Sequence, residues 1–252
     1  MSSNPEAGSR VDLGGLRFVA ASDWQARRDA LARLEKEQGM GEIILVRHGQ
    51  ANSYATTEED YDRLSDLGHQ QAQWLGDWFR DHAFQFDHIV SGTMRRHRET
   101  VAGLGLSADE DARLNEIDYY TLSDDLHRVK GEPLPTGETF AVHMPKVFKA
   151  WKAAEIAGAE PYQAFEDRVA ALLDDAAQPG RTVLCVTSGG VIGMVLRHVL
   201  NLDILKMAHV MLPIFNSSLH RLNVRDGQAY LAGYNAIPHL DAPDRADART
   251  HY

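Results

Sequence analysis

The chain has 252 residues, 44% of them hydrophobic and 25% charged, which is enough apolar material for the core of one large domain. A formal net charge of -10 works against general affinity for nucleic acid or an anionic membrane, and no apolar run approaches the ~20 residues of a membrane span. The opening MSSNPEAGSR lacks the hydrophobic segment of a secretory signal, so a cytoplasmic address is the default expectation. The single cysteine, Cys185, lies inside an apolar run and has no intrachain partner.

Residues 1–15, rich in Ser, Gly, Pro and charge, read as disordered. Residues 22–38 read as a helix capped by Ser22 or Asp23, with Trp24, Leu31 and Leu34 on one stripe and Gly39 and Gly41 closing it. Residues 1–41 are therefore an N-terminal extension that packs on the core or holds a second copy, leaving a homodimer open. Ile43, Ile44, Leu45 and Val46 then run without alternation, as in a strand covered on both faces of a parallel sheet. Arg47, His48 and Gly49 follow at its carboxyl end, where open α/β sheets hold their ligands. Gly49 permits a sharp turn or a close backbone approach.

A polar loop, Ala51 to Leu64, carries four acidic residues. Ser65 caps a helix expected to run to about His82, with Leu67, Trp74, Leu75, Trp78 and Phe79 on its buried face. Asp87–Ser91 reads as a second strand, completing a β-α-β unit with the first. The stretch from Gly92 to Thr100 turns into another helix carrying Arg95, Arg96 and Arg98, whose bland reading is a basic surface face. Further helices are expected around Phe140–Ala157 and Tyr162–Ala177. Arg181–Thr187 is another continuous apolar strand, followed by Ser188-Gly189-Gly190 and an apolar helix from Val191 to about Leu200. Ser217–Val224 and Gln228–Tyr234 form an antiparallel hairpin through Asp226-Gly227.

Arg47-His48-Gly49 at a strand end, Leu64-Ser65-x-x-Gly68-x-x-Gln71-Ala72, the Ser91-to-Thr100 segment and Asn235-x-x-x-His239-Leu240 occur in an order that resembles the histidine phosphatase superfamily, which includes the phosphoglycerate mutases. The resemblance covers residues 42–240. It implies a three-layer α/β sandwich with a mostly parallel central sheet, helices on both faces and a helical cap insertion at about 122–178. Residues 241–252 remain as a C-terminal tail.

The resemblance also assigns roles. His48 is the nucleophile that forms a phosphohistidine, and Arg47 with a second arginine holds the phosphoryl oxygens. Counted forward from Ser91 by the commoner spacing, that arginine is Arg95; counted back from Thr100, it is Arg96, favoured because Thr100 lies one helical turn away. Ala112–Ile117 resembles the family's third strand, ending in Glu116 as proton donor with Asp118 in reserve. Ser188 stands where most relatives have a second histidine, and with Gly189 it is expected to bind phosphate. His239 is a speculative source of the missing imidazole.

These residue types suit the chemistry. Arginine keeps its charge and grips phosphate bidentately, a neutral imidazole can attack phosphorus, and a carboxyl group can protonate the leaving oxygen. Two positive neighbours disfavour an imidazolium and so keep His48 nucleophilic, while a hydrogen bond from its other nitrogen to a backbone carbonyl would fix the tautomer. Replacing a charged donor by the Ser188 hydroxyl is expected to cost ~1 to 3 kcal/mol of transition-state stabilisation, giving weakened activity. The expected enzyme is a metal-independent phosphomonoesterase needing no cofactor and acting on a small phosphorylated substrate, with neither nucleic acid nor membrane as partner. A mutase is the runner-up, lowered because the chain reads Gln50-Ala51-Asn52-Ser53-Tyr54 where mutases usually carry an acidic residue, then Trp and Asn. A non-catalytic module binding a phosphorylated ligand is the alternative of another class. A metallohydrolase is disfavoured because the 12 histidines include no His-Glu-x-x-His pair.

Overall fold

In a computed structural model of the chain, residues 39–251 are described, apart from 53, 54 and 56. The reading of residues 1–15 as disordered and of 22–38 as a helix lies outside them. The elements in order are β1 (Gly41–Arg47), α1 (Glu58–Tyr61), α2 (Asp66–Asp81), β2 (His88–Ser91), α3 (Arg95–Gly103), β3 (Asp109–Glu110), α4 (Tyr119–Lys130), α5 (Phe140–Lys152), α6 (Tyr162–Ala176), β4 (Thr182–Thr187), α7 (Gly189–Leu200), α8 (Ile204–Met211), β5 (Leu219–Arg225) and β6 (Gln228–Ala236). Among the described residues no helix is long and apolar enough to cross a membrane.

The strands form one sheet in the order β3-β2-β4-β1-β5-β6. The pairings from β3 through β2 and β4 to β1 are parallel, while β5 and β6 join antiparallel. β1 is continuously aliphatic because both its faces are covered. Ile43 and Leu45 point into one core with Val183, Cys185, Phe148 and Val195, and Ile44 and Val46 point into the other with Leu184, Leu75, Phe79 and Val101. Helices α2 and α3 supply one layer and α5, α6 and α7 the other, which is the three-layer α/β sandwich with a mostly parallel sheet.

Several local readings change. β1 and β2 are parallel but do not pair, because β4 lies between them. The third strand is Asp109–Glu110, and Ala112–Leu114 is a 3-10 turn whose cap, the Asp111 side chain, accepts from the Arg113 N–H at 2.8 Å. Three helices, α1 inside the expected polar loop, α4 and α8, are not delimited by the sequence, and α5 stops at Lys152 rather than 157, with Ala154 at a positive φ of 55° just beyond it. Residues 241–251 are more than a trailing tail. They form a 3-10 turn at Pro243–Ala248 and return to the core, where the Thr250 carbonyl accepts from the Asn216 N–H at 2.7 Å.

Helix α2 starts where expected: the Ser65 side chain accepts from the Gly68 N–H at 3.0 Å. Its buried stripe is Gly68, Ala72, Leu75, Gly76 and Phe79, with Trp74 and Trp78 only half-buried beside it. Gly68 is required by contact with the loop leaving β1, since a Cβ there would stand 2.1 Å from the Gln50 carbonyl oxygen, and one on Gly49 would stand 2.4 Å from that of Gly68. Gly49 thus meets a helix, and that contact fixes the loop's path. Helix propensity alone favours Gly68→Ala by ~1 kcal/mol. The contact should reverse the sign, with urea unfolding reporting a loss of about 2 to 4 kcal/mol. A variant as stable as the parent would show that this contact yields.

Candidate active site

Arg47 and Thr187 are register partners at the ends of β1 and β4, so His48 and Ser188 are the first residues beyond two adjacent parallel strands. The His48 N–H donates to the Thr187 carbonyl at 2.9 Å. Its ring is 2% exposed, and Nδ1 lies 2.7 Å from the Gly49 carbonyl oxygen. That carbonyl can only accept, so the proton sits on Nδ1 and Nε2 carries a lone pair. Burial, then the charges of Arg96 and Arg47 and the nearby His97, hold the His48 pKa well below its ordinary value.

Arg47 is buried, and its Nη1 donates to the carbonyls of Ile214 and His251, the latter at 2.6 Å. Its Nε has no hydrogen-bond partner among the described residues and faces Gly189. Arg96 is also buried. Asp62, from the acidic loop, accepts from the Arg96 N–H and Nη1 and from the Arg95 N–H, so one carboxylate both caps α3 and orients the guanidinium. The Thr100 hydroxyl donates to the Arg96 carbonyl at 2.7 Å and accepts from the Gly49 N–H at 3.1 Å, tying α3 to the loop after β1.

Arg95 lies elsewhere. Its side chain is 64% exposed and paired with Glu99, and Arg98 is exposed beside Glu110. The three arginines therefore form no common basic face. Asp118 caps α4, accepting from the Thr121 N–H at 2.9 Å, and does not line the cavity. Glu116 does line it, in coil beyond the 3-10 turn rather than at a strand end. Its two carboxylate oxygens accept from the Gly190 and Ile117 N–H groups at 2.8 and 3.0 Å.

Ser188 is fully buried, and its hydroxyl lies 2.7 Å from His97 Nε2. His97 comes from α3, next to Arg96, with its ring centroid 5.8 Å from that of His48. The second imidazole of the cluster is therefore His97. His239 is buried against the Ser217 hydroxyl at 2.8 Å, behind the His48 backbone, to which the Ser217 N–H donates. The sequence carried one usable signal for His97: it adjoins the favoured arginine on the same short helix.

Tyr61, at the end of α1, was also missed. Its ring is 6.4 Å from that of His48 and 5.0 Å from the Arg96 guanidinium carbon, and it is hydrogen-bonded to Arg47, so it covers the imidazole. Above these groups lies a cavity of about 590 Å³ whose floor includes Arg47, Arg96, Glu116, Gly189 and Gly190. α4 and α5, from the expected cap region and just before it, form much of its outer wall.

A strand-end histidine beside two buried arginines is an arrangement chemically suited to holding a phosphate group. Residues 43–237 match the family described as the histidine phosphatase superfamily (branch 1), and the chain belongs to it. The serine/threonine-protein phosphatase Pgam5 of Drosophila willistoni, described as mitochondrial, is 30% identical over 95 residues, 37% of this chain and 29% of that protein. A 2,3-bisphosphoglycerate-dependent phosphoglycerate mutase of Allorhizobium ampelinum is 35% identical over 94 residues, 33% of this chain and 44% of that one. The matches thus span less than half of these relatives. Among solved structures, a mutant phosphoserine phosphatase of Entamoeba histolytica in complex with phosphoserine shares the fold at a TM-score of 0.57 and 19% identity, over 79% of this chain and 99% of that one.

The buried histidines have a thermodynamic consequence. His48, His97, His220 and His239 are all held below their ordinary pKa, first by burial, and His220 and His239 reach about 3. Unfolded, each takes up a proton near pH ~6.5 that the folded chain refuses. Stability is therefore lost as pH falls below that value, by about 1.4 kcal/mol per pH unit for each such histidine. Urea midpoints measured from about pH 7 to pH 5 should fall, and His239→Gln should flatten the slope. A flat profile would mean that the folded protein protonates them.

Proposed function

We propose that the protein is a phosphomonoesterase that works through a phosphohistidine on His48. The observation that carries this reading is the neutral imidazole of His48, its Nδ1 committed to the Gly49 carbonyl, lying under the charge of two buried guanidinium groups. Arg47 and Arg96 bind the phosphoryl oxygens, an incoming oxygen taking the place of the Tyr61 hydroxyl at Arg47. The His48 Nε2 lone pair attacks phosphorus, and the bond to the leaving oxygen breaks as that oxygen takes a proton from the Glu116 carboxyl group. Water, deprotonated by Glu116, then attacks the phosphohistidine, releases inorganic phosphate and restores the imidazole. Gly189 contributes its backbone N–H at the start of α7, where an anion is favoured.

A mutase would use the same nucleophile but must recapture the phosphoryl group on a product bearing other anionic groups. Among the described residues lining the cavity, Arg47 and Arg96 are the permanently cationic ones, and both are beside His48. That favours hydrolysis over return to a polyanionic product. A module that only binds a phosphorylated ligand is the remaining reading, and phosphate binding by the parent protein without any turnover would favour it.

His48→Ala should lower hydrolysis of an aryl phosphate on the order of 10⁴-fold or more, and Arg96→Ala about 10²- to 10³-fold. Arg95→Ala should stay within about twofold, because that side chain is exposed and paired with Glu99. Rapidly quenched parent protein should gain the mass of one phosphoryl group, and His48→Ala should not. Unchanged turnover in His48→Ala would end this reading.

A further inference from the structure

We propose that Ser188 and His97 together form the second hydrogen-bonding arm of the site, His97 acting as a positioning residue for the Ser188 hydroxyl. This rests on the phosphatase reading and deepens it. Ser188 follows β4 where His48 follows β1, so the hydroxyl stands about one strand spacing (~4.8 Å) from the nucleophile's backbone. His97 Nε2 is 2.7 Å from that hydroxyl oxygen, and its Nδ1 is buried with no partner among the described residues.

An orphaned lone pair costs less than an orphaned N–H, so the proton belongs on Nε2, which donates to Ser188 Oγ. The hydroxyl's own proton is then free to point at a phosphoryl oxygen held by Arg47 and Arg96. Burial and the charge of Arg96 keep the His97 ring uncharged, which holds this direction of donation. The imidazole fits because residue 92 is glycine: a Cβ there would stand 2.1 Å from His97 Nδ1. The chain thus retains an imidazole at this corner but supplies it from α3, through a hydroxyl.

The test uses side chains that reach different atoms. Glutamine at 97 carries its amide to the Nε2 position, and asparagine stops at the Nδ1 position. Ser188→Ala and His97→Asn are each expected to lower kcat tenfold to a hundredfold with KM changed less than about threefold. Their double variant should be no worse than the poorer single one, and His97→Gln should recover to within about threefold of the parent. Losses that multiply in the double variant, or a Gln variant as poor as Asn, would overturn the pairing. If His48→Ala itself stayed active, the phosphatase reading would fall first.

A second inference is carried by the cavity's outer wall. We infer that the preferred substrate is a monophosphate of an apolar, uncharged alcohol. Beyond the two arginines the wall of described residues is mainly apolar, with Tyr119, Phe140, Met144, Phe148 and Leu134, the last half-exposed; its polar members there include the uncharged hydroxyls of Ser123 and Thr136 and the acidic Asp124. A carboxylate or second phosphate on the substrate would meet apolar surface and a negative side chain without a counter-ion. An alkyl chain would gain about fourfold per buried methylene.

Esters with similar alkoxide leaving groups isolate this effect: hexyl phosphate, glycerol 3-phosphate, O-phosphoserine and 3-phosphoglycerate. Hexyl phosphate should show kcat/KM at least about tenfold above each of the others, and Leu134→Lys should narrow the gap to 3-phosphoglycerate. Turnover that needs His48 but is fastest on a carboxylated or polyol ester would overturn this inference and leave the phosphatase reading standing. Loss of the His48 requirement would remove that reading instead.

Discussion

Two guanidinium groups buried around one imidazole set the terms for the rest of the molecule. A buried cation without compensation costs several kcal/mol, so each must be met by fixed oxygen atoms. Arg47 is met by the carbonyls of Ile214 and His251, and Arg96 by the Asp62 carboxylate and the face of Tyr61. These partners come from three separate segments, one of them the C-terminal stretch. The acidic loop after β1 and the returning C-terminus are thereby part of the site, although neither contains the proposed nucleophile.

The same arrangement keeps His48 neutral. Its backbone is held by Thr187 and Ser217, its Nδ1 by the Gly49 carbonyl, and the adjoining loop is pressed on α2 at Gly68. Positive charge, burial and an obligatory acceptor all favour one tautomer, with the lone pair on Nε2. An anion brought to the arginines would relieve their mutual repulsion while leaving that nitrogen free, which is what a nucleophile for a phosphate ester requires.

The meeting of Ser188 and His97 follows from sheet geometry. Neighbouring parallel strands end side by side, so any residue just beyond β4 is close to His48, and a short helix entered from β2 leans its first turn over the same point. A histidine can reach this corner from either element. Here α3 supplies it, and Ser188 fills the smaller space left at the strand end.

By itself the sequence determined the layers and the strand-end position of His48, because those depend on signals carried by consecutive residues. The aliphatic runs of β1 and β4 require burial on both faces, Ser65 caps α2 locally, and Arg47-His48-Gly49 must sit where β1 ends. Tertiary structure decided what depends on contact between distant segments. Counting from Ser91 or from Thr100 left two arginines open, and it took Asp62, 34 positions away from Arg96, together with the Thr100 link to Gly49, to turn Arg96 inward and leave Arg95 in solvent. His97 was illegible for the same reason: nothing along α3 records that a serine 91 positions away would meet its ring. Spacing along a chain fixes the face of an element, but which side chain fills a shared corner is set by packing between elements.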